Sequence, residues 1–175
     1  MNYFDFYGLP IRFELDETAL RTKFYEYSRQ YHPDRFSLAD EAAQETALQQ
    51  SVRNNQAFRV LNNADLRMRY VLEIGGLVGD ETKQATLPQA FLMDMMDINE
   101  TIMDLQMDFD ADRYAAVRTE VDTMLQTMSA DIQPVLSAYQ ADTSPASDLI
   151  LVRDFFLKKK YLLRIIENLA TFARR

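Results

Sequence analysis

The stretch from Arg29 to Phe36, RQYHPDRF, holds the only histidine of the chain and interrupts a helical pattern. Apolar side chains recur before it at helical spacing and define one helix face: Leu20, Phe24, Tyr27 and Tyr31. The helix must end here, because Pro33 has no backbone N–H and pushes His32 out of the α region. A second long helix is predicted from about residue 40 to residue 61, so the stretch becomes the loop of an antiparallel helical hairpin.

Composition favours helices along the whole chain. Only four glycines and five prolines interrupt 175 residues that are rich in Ala, Leu, Gln, Glu and Met. These residues are strong helix formers, whereas few positions suit the turns between strands, so we expect an all-α protein. Asp16 precedes the first long helix and is predicted to be its N-cap.

Three of the four glycines lie in GGLVGDETKQATLP, residues 75–88, where the helical periodicity breaks on both sides. We therefore predict a first domain at residues 1–75, a linker at 76–88 and a second domain at 89–175. The second domain contains three helical segments with short connections, which predicts a three-helix bundle. Pro134 is a candidate kink or break in the second of these helices.

Composition also excludes several classes of function. The chain has no cysteine and one histidine, so thiolate sites, multi-histidine metal sites and cysteine nucleophiles are excluded, and we expect no bound metal or cofactor. A formal net charge of -8 disfavours nucleic acid as a partner. The start of the chain lacks a secretory pattern, and no apolar window approaches the length of about 18 residues that a membrane span needs. We therefore expect a cytoplasmic protein with no membrane partner.

Taken alone, the tripeptide His32-Pro33-Asp34 is consistent with a simple helix stop, because the helix dipole favours a histidine in the last turn. A general base would need a substrate pocket and an orienting partner, and the sequence offers no second histidine and no nucleophile motif nearby. We therefore do not expect an enzyme. The preceding helix adds a stripe at four-residue spacing: Arg21, Tyr25 and Arg29.

These features together resemble the J-domain, the module with which J-proteins stimulate ATP hydrolysis by Hsp70 chaperones. The resemblance covers residues 1–75: YFDFYGLP matches the opening, YHPDRF the loop, and NQAFRVLNNADLRMRYVLE the second long helix with its short tail. It implies that His32, Pro33 and Asp34 form the signature loop. It also implies a basic surface that meets the Hsp70 and that mainly steers and orients the encounter, comprising Arg21, Lys23, Arg29 and Arg35.

The helix predicted to start near Gln89 has two apolar stripes. One stripe is expected to face the core of the bundle: Phe91, Met95, Ile98, Ile102, Leu105 and Phe109. The other is flanked by acidic residues and consists of Leu92, Met93, Met96, Met103 and Met107. A helix at a protein surface needs only one apolar face, so the second stripe either packs on the first domain or on the third bundle helix, or forms an exposed binding surface in which flexible thioethers adapt to a partner.

A J-domain followed by a linker and a three-helix bundle resembles the HscB family, the co-chaperones of iron–sulfur cluster assembly. FLMDMMDINE, residues 91–100, is similar to the FLME segment that opens the family's face for the scaffold protein IscU. By this resemblance the apolar anchors are Leu92, Met93 and Met96, and the acidic rim consists of Asp97, Glu100 and Asp104. The family more often has Glu at the positions of Asp97 and Asp104. Phe156 on the last helix would complete the patch, with Phe155 as the competing choice.

The resemblance therefore implies a co-chaperone that stimulates the ATPase of an HscA-like Hsp70 and delivers an IscU-like scaffold protein to it. Cluster transfer to an acceptor would follow, and a chain without cysteine is not expected to hold the cluster. One alternative is a J-domain adaptor that delivers a different client. Another is an interaction protein on a degenerate J-domain, which the intact His-Pro-Asp sequence disfavours.

Overall fold

The computed structural model describes residues 1–79 and 87–172. Within these ranges the chain forms α-helices and one 3₁₀ turn, and no strand occurs among them, which confirms the predicted all-α class. The helices are α1 (Tyr3–Tyr7), α2 (Glu17–Gln30), α3 (Glu41–Leu61), α4 (Ala64–Ile74), α5 (Gln89–Met107), α6 (Ala111–Ala138) and α7 (Ala146–Phe172). The 3₁₀ turn, Pro33–Phe36, lies between α2 and α3.

The chain divides into two compact units. The first unit comprises Met1–Ile74 together with Tyr139–Ser144, and the second comprises Gly75–Ala138 together with Pro145–Arg175. Most of the linker expected at 76–88 lies outside the described residues, which resume at residue 87. The sequence did not predict that the connection between α6 and α7, residues 139–144, belongs to the first unit. Within this unit the ring centroids of Phe13 and Tyr139 are 4.7 Å apart.

Side-chain caps fix where the long helices of the first unit begin. The Asp16 carboxylate accepts hydrogen bonds from the backbone N–H groups of Thr18 and Ala19, which confirms the predicted cap of α2. The Asp40 carboxylate accepts one from the backbone N–H of Ala43 at the start of α3. Each cap satisfies donors that the first turn of a helix leaves without an intrahelical partner.

A buried polar network joins α1, α2 and α3. The Tyr7 hydroxyl lies 2.7 Å from Asn54 Oδ1, and the Asn54 amide donates to the Phe24 carbonyl at 3.1 Å and to Ser28 Oγ at 2.9 Å. Burial raises the pKa of the Tyr7 hydroxyl above its ordinary value, so the group stays a neutral donor. Because every member has a partner, the network holds the three helices in one arrangement.

Replacing Asn54 with alanine is expected to destabilise the first unit by about 2 kcal/mol, because the substitution removes the side-chain bonds to the Tyr7 hydroxyl, the Phe24 carbonyl and Ser28 Oγ, although the Tyr7 hydroxyl keeps the backbone carbonyl of residue 54 as an acceptor. Thermal unfolding followed by circular dichroism measures the effect. Asn55→Ala, at the exposed neighbouring position, is the matched control and should change the unfolding temperature little. Equal shifts for the two variants would contradict a structural role for the network.

The second unit is the predicted three-helix bundle. Its core is built from apolar side chains of all three helices: Phe91, Met95, Ile98, Ile102, Leu105, Val117, Val121, Leu162, Ile165, Leu169 and Phe172. Five of the six positions predicted for the buried stripe of α5 are confirmed by this cluster. Phe109 was predicted wrongly: it is 54% exposed, because α5 ends at Met107 and Asp108 is extended. α6 continues through Pro134 without the break that the sequence suggested.

Candidate functional site

The His-Pro-Asp sequence forms a compact turn at the end of α2. His32 has an extended backbone, and its Nδ1 lies 3.3 Å from the backbone nitrogen of Asp34, which donates to it. Pro33 occupies the first position of the 3₁₀ turn, where a missing N–H removes no hydrogen bond. The side chains of His32 and Asp34 are 57% and 90% exposed, so both are accessible to a partner.

Two further hydrogen bonds brace this turn. The Arg35 guanidinium donates to the carbonyl of Arg29 in the last turn of α2 at 3.2 Å. The Ser37 hydroxyl donates to the carbonyl of Asp34 at 3.0 Å. These bonds connect the turn to the end of α2 and to Ser37. The exposed side chain of Asp34 is therefore carried by a backbone of defined conformation.

The basic residues predicted on α2 do not all share one face. Arg21, Tyr25 and Arg29 are exposed and are each one turn apart, so they form one stripe on the same helix as the His-Pro-Asp turn. Arg35 joins the end of this stripe through its bond to Arg29. Lys23 lies about 200° from Arg21 around the helix and pairs with Glu26 at 3.5 Å, so the structure separates it from the stripe.

Tyr25 is a member of this stripe that the predicted set of Hsp70-binding residues did not include. Its side chain is exposed, and its carbonyl accepts a hydrogen bond from Arg29 Nε at 3.3 Å. The signal for it was present in the four-residue spacing of Arg21, Tyr25 and Arg29. Aromatic and arginine side chains together are typical of the energetically important centre of protein interfaces.

The second apolar stripe of α5 is exposed. We call this surface the Met face; it consists of Leu92, Met93, Met96, Met103 and Met107. Met96, at its centre, is 66% exposed. A contiguous exposed apolar surface of this kind is a candidate site for a partner, because a helix of a bundle needs only one buried stripe.

Acidic side chains border the Met face, and they differ in their partners. Asp97, Glu100 and Asp104 are all exposed. Arg113 Nη2 lies 3.0 Å from Asp104 Oδ2, so this carboxylate already has a cation beside it. In the part of the chain that the structure describes, Asp97 and Glu100 form no ion pair, and they are the two carboxylates whose charge remains available to a basic partner.

α7 lies along the other border of the Met face. The Asn99 amide donates to the Tyr161 hydroxyl at 2.9 Å, and the Tyr161 ring meets the Phe91 ring edge-on with centroids 5.7 Å apart. Lys158 Nζ lies 5.7 Å from the centroid of the same Phe91 ring. The side of α7 that carries Lys158 and Tyr161 is therefore the side next to α5.

This arrangement bears on the two phenylalanines proposed to complete the patch. Phe155 is 7% exposed, so it is buried and does not contribute to an exposed surface. Phe156 is half-buried but lies about 140° from Tyr161 around α7, so the helix directs it away from α5. Leu157 is half-buried and lies one turn before Tyr161, on the side that faces α5. Sequence reasoning missed Leu157, because the position of α7 relative to α5 is a tertiary property.

Two kinds of feature are absent from residues 1–79 and 87–172. No group of three or more His, Cys, Asp or Glu side chains in these ranges could hold a metal ion. None of the helices there has the length and apolar character needed to cross a membrane.

The match to a family model covers the second half of the chain, and the matches to solved structures cover nearly all of it. Residues 87–170 match the family model described as the HSCB C-terminal oligomerisation domain. The chaperone HscB from Vibrio cholerae has a similar structure, with 27% sequence identity, a TM-score of 0.65, and 99% of this chain and 98% of that chain covered. The human co-chaperone protein HscB shares the fold, with 19% identity, a TM-score of 0.69, and 99% and 82% of the two chains covered. The chain thus combines a His-Pro-Asp turn in one unit with a bundle that matches the HscB family's C-terminal domain in the other, and these comparisons support an HscB-type co-chaperone.

Proposed function

We propose that this protein stimulates ATP hydrolysis by a specialised, HscA-like Hsp70 and delivers an IscU-like scaffold protein to it, so that iron–sulfur clusters are assembled and transferred. In this proposal residues 1–75 act as the J-domain and residues 89–175 bind the scaffold. The observation that carries it is the presence, on one chain, of a braced and exposed His-Pro-Asp turn and of a separate exposed Met face.

The Hsp70-binding surface consists of the turn and the stripe that leads to it. Asp34 offers a carboxylate that is 90% exposed, and the hydrogen bonds around it limit the conformational freedom that binding would otherwise have to remove. Arg21, Arg29 and Arg35 add positive charge beside it. Such charges steer the encounter with an acidic surface and fix its orientation.

The scaffold-binding surface consists of the Met face with Asp97 and Glu100 on its border. Exposed thioethers pack on apolar side chains of variable shape, because methionine is unbranched and flexible. The two available carboxylates favour a scaffold surface that carries Lys or Arg next to an apolar patch. Asp104 contributes less, because Arg113 already lies beside it.

Joining both surfaces in one chain links their two binding events. When the scaffold is bound to the second unit, the first unit brings it to the Hsp70 at a raised effective concentration. Hydrolysis, which occurs on the Hsp70, is then triggered when the client is present. The cluster itself stays with the scaffold, because this chain has no cysteine to ligate it.

The steady-state ATPase rate of an HscA-type chaperone tests the proposal. We expect this protein and an IscU-type scaffold together to raise the rate by more than the sum of their separate effects. If this protein stimulates the chaperone but the scaffold adds nothing, the protein is instead a J-domain adaptor for a different client. If it stimulates no Hsp70, the proposed function is wrong.

Leu157→Asp is expected to weaken scaffold binding about tenfold, because it places a charge next to the Met face at a position that α7 directs toward α5. Phe156→Asp is the matched variant, since the same change is made one residue away on a side that faces elsewhere, and we expect it to alter the affinity less than about twofold. Isothermal titration calorimetry with the scaffold measures both. A larger loss of scaffold affinity for Phe156→Asp than for Leu157→Asp would show that Phe156, and not Leu157, belongs to the scaffold-binding surface.

A further inference from the structure

His32 uses one of its two ring nitrogens inside the molecule. Nδ1 lies 3.3 Å from the backbone nitrogen of Asp34 and 3.6 Å from its Oδ2. The second distance is too long for a hydrogen bond, whereas the first joins a backbone N–H to an acceptor. Because a backbone N–H only donates, Nδ1 must carry a lone pair, and the hydrogen of the neutral ring is then on Nε2.

The bond from the Asp34 N–H to His32 Nδ1 restrains the backbone of Asp34, whose side chain the turn exposes. It caps the first N–H of the 3₁₀ turn in the way that an Asn or Asp side chain caps a helix. Together with the bond from Ser37 Oγ to the Asp34 carbonyl, it engages both backbone polar groups of Asp34, and the bond from Arg35 to the Arg29 carbonyl ties the next residue to α2, while the Asp34 carboxylate remains exposed.

We propose that His32 is a positioning residue: its Nδ1 fixes the backbone of Asp34, and the Asp34 carboxylate is the group that contacts the Hsp70. The part that concerns the Hsp70 rests on the proposed function, whereas the part that concerns the turn is a property of the free protein. The competing role for His32 is direct contact with the Hsp70 through Nε2.

Two substitutions separate these roles, because each keeps one end of the imidazole. The Oδ1 atom of asparagine takes the place of Nδ1 and can accept the bond from Asp34, but His32→Asn has no atom at the position of Nε2. His32→Gln places its amide oxygen and nitrogen near Nε2 and has a carbonyl carbon, which accepts no hydrogen bond, at the position of Nδ1. If Nδ1 is the important atom, asparagine rescues the function and glutamine does not.

The first test uses the free protein. Long-range ¹H–¹⁵N NMR of the imidazole reports which nitrogen carries the hydrogen, and the signals need no assignment because the chain has one histidine. We expect the hydrogen on Nε2 of neutral His32, and we expect the Asp34 amide shift to be kept in His32→Asn and to move toward unstructured values in His32→Gln. A hydrogen on Nδ1, or an Asp34 amide that does not respond to His32→Gln, would overturn the positioning role.

The second test is the ATPase rate of an HscA-type Hsp70 with the full chain. Loss of one hydrogen bond of ordinary strength lowers the population of the held turn about fivefold, so His32→Gln should lose at least that much stimulation, and His32→Asn should recover most of it. Equal loss in both variants, with the Asp34 amide still bonded in His32→Asn, would show that Nε2 makes the contact and would overturn the proposal. If the unaltered protein stimulates no Hsp70, the proposed function fails, and the NMR result alone decides whether His32 holds the turn.

Discussion

Replacing Met96 with aspartate is expected to reduce affinity for the scaffold protein at least about a hundredfold, because the substitution introduces a charge at the centre of an apolar binding surface. Met96 lies one turn from both Leu92 and Glu100, so the new carboxylate removes apolar area and also repels an acidic neighbour. The side chain is exposed in the free protein, and the unfolding temperature should therefore change little.

Calorimetric titration of the scaffold measures this loss. Leu48→Asp is the matched control, since Leu48 is a similarly exposed apolar residue on α3 of the first unit. We expect its affinity for the scaffold to equal that of the unaltered protein. If Met96→Asp binds as tightly as this control, the scaffold uses another surface, and the Met face needs a different client.

Replacing Asp34 with asparagine is expected to lower stimulation of the Hsp70 at least about thirtyfold, because the variant keeps the size of the side chain but removes the charge that the turn presents. The Asp34 backbone, and with it the bond to His32 Nδ1, is unchanged by the substitution. Binding of the scaffold should be unaffected, because it uses the second unit.

The measurement is the ATPase rate at saturating scaffold, with a separate titration of the scaffold as the internal check. Asp131→Asn removes an exposed charge from α6 and serves as the control for the change in net charge. A rate for Asp34→Asn near that of Asp131→Asn would mean that the turn does not contact the Hsp70 through this carboxylate.

Local rules were sufficient to predict the hairpin and its loop. Pro33 ends α2 through its own missing N–H and its effect on the residue before it. The carboxylates of Asp16 and Asp40 cap backbone N–H groups within the three residues that follow each of them. The buried stripe of α5 was equally predictable, because a period of 3.6 residues reports one face of one helix. These features need no knowledge of what lies elsewhere in the chain.

Features that depend on distant residues could not be predicted in this way. Periodicity predicted the core-facing stripe of α5, but only the structure shows that the second stripe is exposed. Arg67 is a residue type expected at the surface, yet it is buried and donates to the carbonyls of Phe13 and Leu61, with burial lowering its pKa. Leu157 is a candidate site residue only because of the contacts of Tyr161 with α5. Each case requires an interaction between segments that are far apart in sequence.

The exposure of the Met face also has a chemical consequence. Its four thioether sulfurs, in Met93, Met96, Met103 and Met107, are open to peroxide, whereas Met68 and Met95 are enclosed in the interior. Oxidation to the sulfoxide turns a flexible apolar side chain into a polar one, and reductases reverse it. An oxidant would thus alter the surface while leaving the buried packing intact, and the capacity to hold a client would vary with the redox state of the cell.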